Sequence, residues 1–345
     1  MKIAKLLSLG LFGLLLLNSC SNDDDGDVPE IEPDGEYING FFVLNKSRDT
    51  TGTVTYISDN LQQVEQDIFA TVNVEDSIGI SPQSMFFDDE NAYIISSDTS
   101  MITVINRYTF ELVGRINSGL SVPMYGLVKN GKAYVTNLAD PDTKEDDYLA
   151  IIDTESLQTR RKIIVGDYAE YITEDSGLFY IKSSISGAGS NISVFDPASN
   201  AVLRRITAKQ GYDSFEIEGN TIYVMSAGGL QKIDKTTGTV RSETVFSAIH
   251  AGASNIDIED GTIYFTAGAS VYTLPLVTTE GPGEPVLTYN SNSEEGIINI
   301  FEVENERIFI ADDGEGSYIE VYTTGGEFVQ QIQVGVEPGG FYFND

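Results

Sequence analysis

The chain has 345 residues and a formal net charge of −33, from 53 acidic and 20 basic side chains. This charge excludes nucleic acid as a partner and opposes binding to anionic lipid surfaces, because few cations are present to neutralise phosphates. A single histidine and a single cysteine exclude His/Cys metal clusters and a disulfide framework. The acidity itself fits either a solvated surface or a face that meets a cationic partner or ligand.

Residues 1–19 have the pattern of a secretion signal. Lys2 and Lys5 precede the apolar run from Leu6 to Leu17, which is too short to cross a bilayer as a helix. Leu17-Asn18-Ser19 before Cys20 resembles a bacterial lipobox. That resemblance implies that Cys20 becomes the acylated mature N-terminus, and several acyl chains anchor a protein durably to a membrane.

Residues 20–38 are polar and acidic and contain Pro and Gly, which predicts a flexible tether. Ser21 to Asp25 resembles the acidic export signal that places certain Gram-negative lipoproteins on the outer face of the outer membrane. We therefore expect a lipid-anchored protein at the cell surface. A solubilising acidic spacer is the alternative interpretation of this stretch.

Residues 39–345 contain seven repeats of one short phrase, a small turn followed by a strand-like run with an aromatic residue at its centre. Successive centres lie about 41 to 51 residues apart, which is typical of a β-propeller with one four-stranded blade per repeat. The fold class is therefore predicted to be all-β, a seven-bladed β-propeller. The seven central residues are Phe42, Tyr93, Tyr134, Tyr180, Tyr223, Tyr264 and Phe309.

Turn residues separate two kinds of connection. Asn130-Gly131, Asp260-Gly261, Ser176-Gly177 and Gly219-Asn220 predict tight hairpins, which lie on one face of the disc. Longer connections, such as the one from Asn137 to Tyr148, belong to the opposite face. Since function most often lies on loops of a rigid scaffold, we expect the binding site on that opposite face.

The final run from Pro338 to Phe343 matches the opening strand of the other repeats, whereas the first repeat begins one strand late. We therefore predict that the C-terminal strand completes blade 1 and removes the open edge at the seam. A trailing strand that pairs elsewhere is the alternative.

Tyrosine and amide side chains near the blade entries provide a candidate ligand-binding surface. Tyrosine in loops offers wide apolar contact and one hydrogen bond at low entropic cost. Tyr171 and Phe215 belong to the same group of aromatic residues at the blade entries, and about half of the group is expected to pack between blades instead. The candidate residues are Asn45, Arg48, Gln83, Tyr125, Asn137, Tyr168, Tyr212, His250 and Asn255.

Catalytic signals are weak. A base is needed for hydrolase or lyase chemistry, and His250 is the only histidine in the chain. The G-x-S-x-G, G-x-G-x-x-G and P-loop patterns do not occur. The acidic loops Asp140 to Asp147 and Asp312 to Glu315 fit either solvated surface or calcium binding, without EF-hand spacing. We predict no enzymatic activity, no metal and no cofactor.

Ala133-Tyr134-Val135-Thr136-Asn137 contains the phrase that names the YVTN family of bacterial surface propellers, and the resemblance extends from Gly40 to Asp345. Blade 6 departs from it at Pro275 and in the insertion from Thr279 to Pro285. With the lipobox and export signal, the chain resembles surface lipoproteins that partner TonB-dependent outer-membrane transporters. This resemblance implies capture of a ligand for uptake, with cobalamin or a related corrinoid as the specific candidate. An adhesion or scaffold propeller and a lactonase-like or lyase-like enzyme are the alternatives.

Overall fold

The computed structural model describes residues 35–47, 50–140, 142–185, 188–290, 297–311 and 317–344. Across these ranges, 28 β-strands form seven four-stranded antiparallel sheets, which confirms the all-β seven-bladed β-propeller. The signal peptide, Cys20, Arg48 and the loop from Asp312 to Glu315 lie outside the described residues. In the part that is described, no helix is long and apolar enough to cross a membrane.

Each blade is a simple meander of four strands. Blade 1 contains β28 (Pro338–Phe343), β1 (Gly40–Asn45), β2 (Thr53–Ser58) and β3 (Val64–Glu65). Blades 2 to 4 contain β4 (Pro82–Phe87), β5 (Asn91–Ser96), β6 (Met101–Asn106), β7 (Leu112–Ile116), β8 (Pro123–Lys129), β9 (Lys132–Asn137), β10 (Tyr148–Asp153), β11 (Gln158–Ile164), β12 (Ile172–Asp175), β13 (Leu178–Ile185), β14 (Ala188–Asp196) and β15 (Ala201–Thr207). Blades 5 to 7 contain β16 (Ser214–Glu218), β17 (Thr221–Ser226), β18 (Gly229–Asp234), β19 (Val240–Val245), β20 (Ala253–Glu259), β21 (Thr262–Ala267), β22 (Ser270–Pro275), β23 (Leu287–Thr288), β24 (Ile300–Glu304), β25 (Arg307–Ala311), β26 (Tyr318–Thr323) and β27 (Phe328–Gln333).

The repeated aromatic residue lies in the second strand of every blade and packs between neighbouring sheets. All seven of these side chains are buried. Tyr134 of blade 3, for example, meets Phe179 of blade 4 edge to face, with ring centroids 4.8 Å apart. Since each blade covers the aromatic face of the next, the periodicity of the sequence becomes the core of the ring.

The predicted hairpins join the first and second strands of their blades. Lys129 pairs with Lys132 around Asn130-Gly131, and both turn residues have positive φ. The same two-residue loop closes β12–β13, β16–β17 and β20–β21. These turns define the lower face of the disc, and the innermost strands therefore begin at the upper face.

Strand β28 pairs antiparallel with β1, from Phe41 opposite Phe343 to Asn45 opposite Pro338. The predicted closure by the C-terminal strand is consistent with this pairing. Tyr37, which falls within the predicted tether, is 2% exposed and packs against Tyr56 and Phe110. The propeller core therefore includes Tyr37, two residues before the predicted start of the domain.

A short α-helix, α1 (Ile68–Val72), and a 3-10 turn (Ala248–His250) interrupt the strands. The outer strand of blade 1 has only two residues, so Ile68 and Phe69 of α1 cover the core between blades 1 and 2 instead. The sequence showed no sustained helical periodicity here, because five residues are too few to display it.

Candidate functional site

A cavity of about 310 Å³ lies on the propeller axis. Its lining comes mainly from the beginnings of innermost strands, namely β8, β16, β20 and β24, and from residues just before β12. Because innermost strands surround the axis, this cavity is the upper part of the central channel, and we call it the axial cavity.

β-Bulges set the direction of several side chains at this upper mouth. The register shifts between Pro82 and Ser84, between Pro123 and Gly126, and between Ser254 and Asp257. The residues left unpaired include Gln83, Tyr125 and Asn255, all three expected from the sequence to contact a ligand. A bulge turns side chains away from the regular pleat. Tyr125 and Asn255 line the axial cavity, and Gln83 donates a 3.4 Å hydrogen bond to the Tyr125 hydroxyl.

Tyr171 and Phe215 also line the axial cavity. The Tyr171 ring meets Tyr125 at 5.5 Å and Phe215 at 6.0 Å, both edge to face. These contacts fix a continuous aromatic arc across blades 3, 4 and 5. Burial raises the pKa of Tyr125 to about 12, so its hydroxyl stays a hydrogen-bond donor at physiological pH.

Two of the candidate asparagines are buried and bonded within their own blades. Asn45 is 0% exposed and its amide donates to Val43 O and to the Thr53 and Thr55 hydroxyls. Asn137 is equally buried, donates to Val135 O at 2.9 Å and accepts the Ser121 N–H at 2.9 Å. In this structure both side chains organise the upper connections, and neither lines the axial cavity.

Tyr212, His250 and Tyr168 lie apart from the axial cavity. The Tyr212 hydroxyl donates to Asn191 O at 2.8 Å and accepts from Ser183 N. His250 is 3% exposed, and its ring meets Tyr272 edge to face at 4.7 Å. Lys144 lies over the Tyr168 ring at 5.6 Å. Ligand contact by these residues stays a prediction.

Three carboxylates line the axial cavity and were not among the candidate residues predicted from the sequence. Glu216, Asp257 and Glu302 occupy one register position in three successive blades, opposite Tyr223, Tyr264 and Phe309 respectively. The signal was present as a recurring pattern before the first hairpin: Phe-Glu-Ile-Glu, Ile-Asp-Ile-Glu and Phe-Glu-Val-Glu. In each of these patterns the first acidic residue lies near the middle of the innermost strand and lines the axial cavity.

Burial and mutual repulsion keep these carboxyl groups from ionising easily. Burial, followed by the nearby Asp257, raises the pKa of Glu216 to about 8. Burial and the charges of Asp257 and Glu216 raise the pKa of Glu302 well above its ordinary value. Burial also raises the pKa of Asp257, although its oxygens accept the Val303 and Ile258 N–H groups at 2.6 and 2.7 Å. The cavity therefore gathers three carboxyl groups whose surroundings favour the protonated form.

Polar groups hold the rim of the axial cavity. Lys182 Nζ lies 2.7 Å from Glu170 Oε2, and Asp213 accepts the Asn255 N–H at 2.8 Å. Two further cavities share rim residues with it: one of about 260 Å³ shares Lys182 and Asp213, and one of about 430 Å³ shares Tyr125. The upper face thus presents a group of adjoining depressions around the channel mouth.

A larger cavity of about 840 Å³ lies at the lower face, where hairpin residues such as Asp88, Asn130 and Gly131 line it beside Arg107. It is formed by solvated turns between blades 2 and 3. We place the candidate site at the upper face because there the aromatic and titratable side chains converge on one cavity.

Another buried carboxylate, outside the axial cavity, lies in the upper connection of blade 3. Asp147 is 0% exposed; Oδ2 accepts the Ala169 N–H at 3.0 Å, and Oδ1 has no hydrogen-bond partner. Burial, and then the charges of Asp146 and Asp167, raise the pKa of Asp147 to about 7. Across the described residues, no group of three His, Cys, Asp or Glu side chains is placed to hold a metal ion.

Solved structures share the fold at low sequence identity. A quinoprotein alcohol dehydrogenase-like protein from Bacteroides thetaiotaomicron is similar with a TM-score of 0.67 and 14% identity, over 90% of this chain and 79% of that one. A functionally unknown protein from Desulfotomaculum acetoxidans gives 0.65 and 12%, over 88% and 98%. BamB from Moraxella catarrhalis gives 0.54 and 15%, over 87% and 84%. These likenesses concern the propeller alone.

No curated protein matches the sequence. One family model does, over residues 39–325, and its range begins at the predicted start of the propeller and covers most of the chain. The family is described as a domain of unknown function (DUF5074), and this seven-bladed propeller belongs to it.

Proposed function

We propose that this protein is a non-enzymatic surface lipoprotein that captures a ligand at the upper mouth of its channel, for uptake through a TonB-dependent outer-membrane transporter. The observation that carries the binding role is the convergence of Tyr125, Tyr171 and Asn255 on one axial cavity. The surface location and the transporter rest on the resemblance of residues 17–25 and of the blades to surface lipoproteins. A lone histidine outside the cavity supports binding over catalysis.

A corrinoid is our specific candidate for the ligand. It is broad, carries amide groups on its edge and has apolar surface, so it needs a wide contact area with mixed chemistry. The adjoining cavities of about 260, 310 and 430 Å³ offer such an area around the channel mouth. Tyrosine and asparagine side chains can pack on its apolar surface and bond its amides.

Calorimetric titration of the mature chain with cobalamin tests the proposal. We expect binding at micromolar concentration or better, and Tyr125→Ala should weaken it about thirtyfold, because losing a central aromatic anchor costs roughly 2 kcal/mol. Tyr318→Ala is the matched control, since Tyr318 is exposed in β26, away from the axial cavity.

Three results would contradict the proposal. Absence of heat with cobalamin and related chelates would exclude the corrinoid. Binding of another protein at the upper face, lost in Tyr125→Ala, would favour an adhesion or scaffold role. Substrate turnover that disappears in His250→Ala would show that the protein is an enzyme.

A further inference from the structure

The floor of the axial cavity combines acidic groups with aromatic rings. Glu216, Asp257 and Glu302 contribute the carboxyl groups, and Tyr171 and Phe301 lie beside them in the same lining. The three acids come from adjacent blades and influence one another electrostatically. Aromatic faces attract cations through the ring quadrupole, so both components of the lining favour the same kind of ligand.

No basic side chain of the cavity lining is paired with these three acids. Lys182, the basic residue of the lining, already lies 2.7 Å from Glu170 in an ion pair on the rim. Among the residues that the structure describes, the carboxyl group of Glu302 has neither a hydrogen bond nor an ion pair. Collecting three acids in one partly buried space destabilises the fold, since each prefers water or a counter-charge. A cation that enters the cavity would supply that counter-charge.

The geometry distinguishes between kinds of cation. Over the described residues, no three acidic side chains are close enough together to ligate one metal ion. An organic ammonium or guanidinium group is larger, distributes its hydrogen bonds over a wider space and gains from contact with aromatic rings. A cavity of about 310 Å³ is at the small end of the range for ligand pockets.

We propose that the axial cavity binds a small organic cation, with an ammonium or guanidinium group between Glu216, Asp257 and Glu302. This inference concerns a smaller ligand at the floor of the cavity and does not depend on the capture of a corrinoid. It assigns a function to three acids that neither the ring closure nor the blade core requires.

Binding of the cation is linked to protons. Burial and the charge of Asp257 raise the pKa of Glu216 to about 8, so this group is mostly protonated in the empty protein at pH 7, and burial and repulsion favour the protonated form of Glu302 in the same direction. A bound cation stabilises the ionised form of both groups, so they release protons as it binds. Affinity should therefore rise as the pH increases from 6 to 9, and the heat of binding should depend on the ionisation enthalpy of the buffer.

The experiment is a titration of the mature chain with putrescine, agmatine and choline. 1,4-Butanediol, which has the chain length of putrescine and no charge, is the matched probe. We expect at least one cation to bind with an affinity that rises at least tenfold from pH 6 to pH 9, and no heat with the diol. Equal binding of the diol, an affinity independent of pH, or no cation binding at millimolar concentration would each overturn the proposal.

Two variants distinguish binding by these carboxyl groups from attraction by the net negative charge of the protein. Glu216→Gln combined with Glu302→Gln should weaken cation binding at least tenfold while the chain stays folded, because these changes remove repulsion. Glu218→Gln is the control: Glu218 lies two residues further along β16, is exposed, and lies outside the cavity lining. An equal loss in the control would mean that the net charge alone attracts the cation. Calcium that protects the wild type from heat, with no effect of the amines, would instead assign the cavity to a metal ion.

Discussion

Phe41 of β1 lies opposite Phe343 of β28, and their rings are 5.5 Å apart. Both rings also meet Phe309 of blade 7, at 5.0 and 5.3 Å. The three aromatic rings thus form one cluster, with one ring from each end of the propeller chain and one from the adjacent blade. The seam of the propeller is held by side-chain packing as well as by backbone hydrogen bonds.

Truncation of residues 339–345 should open this seam. The deletion removes the innermost strand of blade 1 and exposes the unpaired edge of β1, which is a site for aggregation. We expect a fall of many degrees in the melting temperature, measured by circular dichroism, or aggregation during expression. Deletion of residues 21–33 is the control and should leave the melting temperature nearly unchanged. Equal melting of the two truncated chains would contradict closure by β28.

Asn344→Ala should destabilise the fold by about 1 to 3 kcal/mol, since buried donors and acceptors would lose their partners. The Asn344 amide is 2% exposed, donates to Tyr37 O at 2.6 Å and to Arg107 O at 3.2 Å, and accepts from Arg107 Nε. Urea unfolding measures the change. Gln62→Ala, at an exposed position of blade 1, should have little effect. If both variants unfold at the same urea concentration as wild type, the contact is not stabilising.

Stability should fall as the pH rises from about 5 to 8. The folded pKa of Glu216 is raised to about 8 from an ordinary value near 4.5. In that interval the unfolded chain ionises this group while the folded chain keeps it neutral. The contribution of Glu216 to the free energy of unfolding is therefore full below the pKa of the unfolded chain and is lost as the pH approaches the pKa of the folded chain. Glu216→Gln should flatten this slope in urea unfolding at pH 5, 6.5 and 8. An unchanged slope would show that Glu216 ionises normally in the fold.

Asp147→Asn should stabilise the protein at pH 8 and change little at pH 4. The raised pKa of Asp147, about 7, means that its ionisation above neutral pH places an uncompensated charge in a fully buried position. The amide keeps an oxygen for the Ala169 N–H, so that bond can survive the change. Thermal unfolding at the two pH values gives the measurement, with Asp142→Asn at an exposed site of the same connection as the control.

Cys20→Ala should release the protein from membranes. The variant lacks the thiol that the lipobox resemblance marks for acylation, and no other cysteine is present to replace it. Fractionation of cells with detection of the protein in membrane and soluble fractions measures the effect. A variant that stays in the membrane fraction would require an anchor other than the lipid.

The sequence predicted the seven-bladed ring well, because each blade has a buried aromatic residue in its second strand and these residues recur at a nearly constant spacing. It predicted the site less well. Tyr125 and Asn255 reach the axial cavity only because bulges turn them, and bulges leave no clear pattern in one sequence. Asn137 occupies a similar position before a loop, yet its amide satisfies Val135 O and the Ser121 N–H within blade 3. The side-chain type alone cannot distinguish these two outcomes.

The acids of the axial cavity were missed for a different reason. Glu216 and Glu218 look alike in the sequence, but one lines the channel and the other is exposed at the lower turn. Both lie in the innermost strand β16 and on the same side of it, so they differ only in position: Glu216 is at the middle of the strand and Glu218 is at its end beside the hairpin. The importance of the middle position becomes visible only when Glu216, Asp257 and Glu302 are compared at one register position.

The bond from Asn344 to Tyr37 O also fixes where the chain enters the propeller. Tyr37 lies beside the end of β28, and Gly40 O accepts the Asn344 N–H at 2.8 Å, so the entry is at the lower face. The axial cavity opens at the other end of the axis. The chain segment that leads back towards Cys20 therefore joins the propeller on the face opposite the channel mouth. An incoming molecule could then reach the cavity without passing the point where the chain enters the propeller.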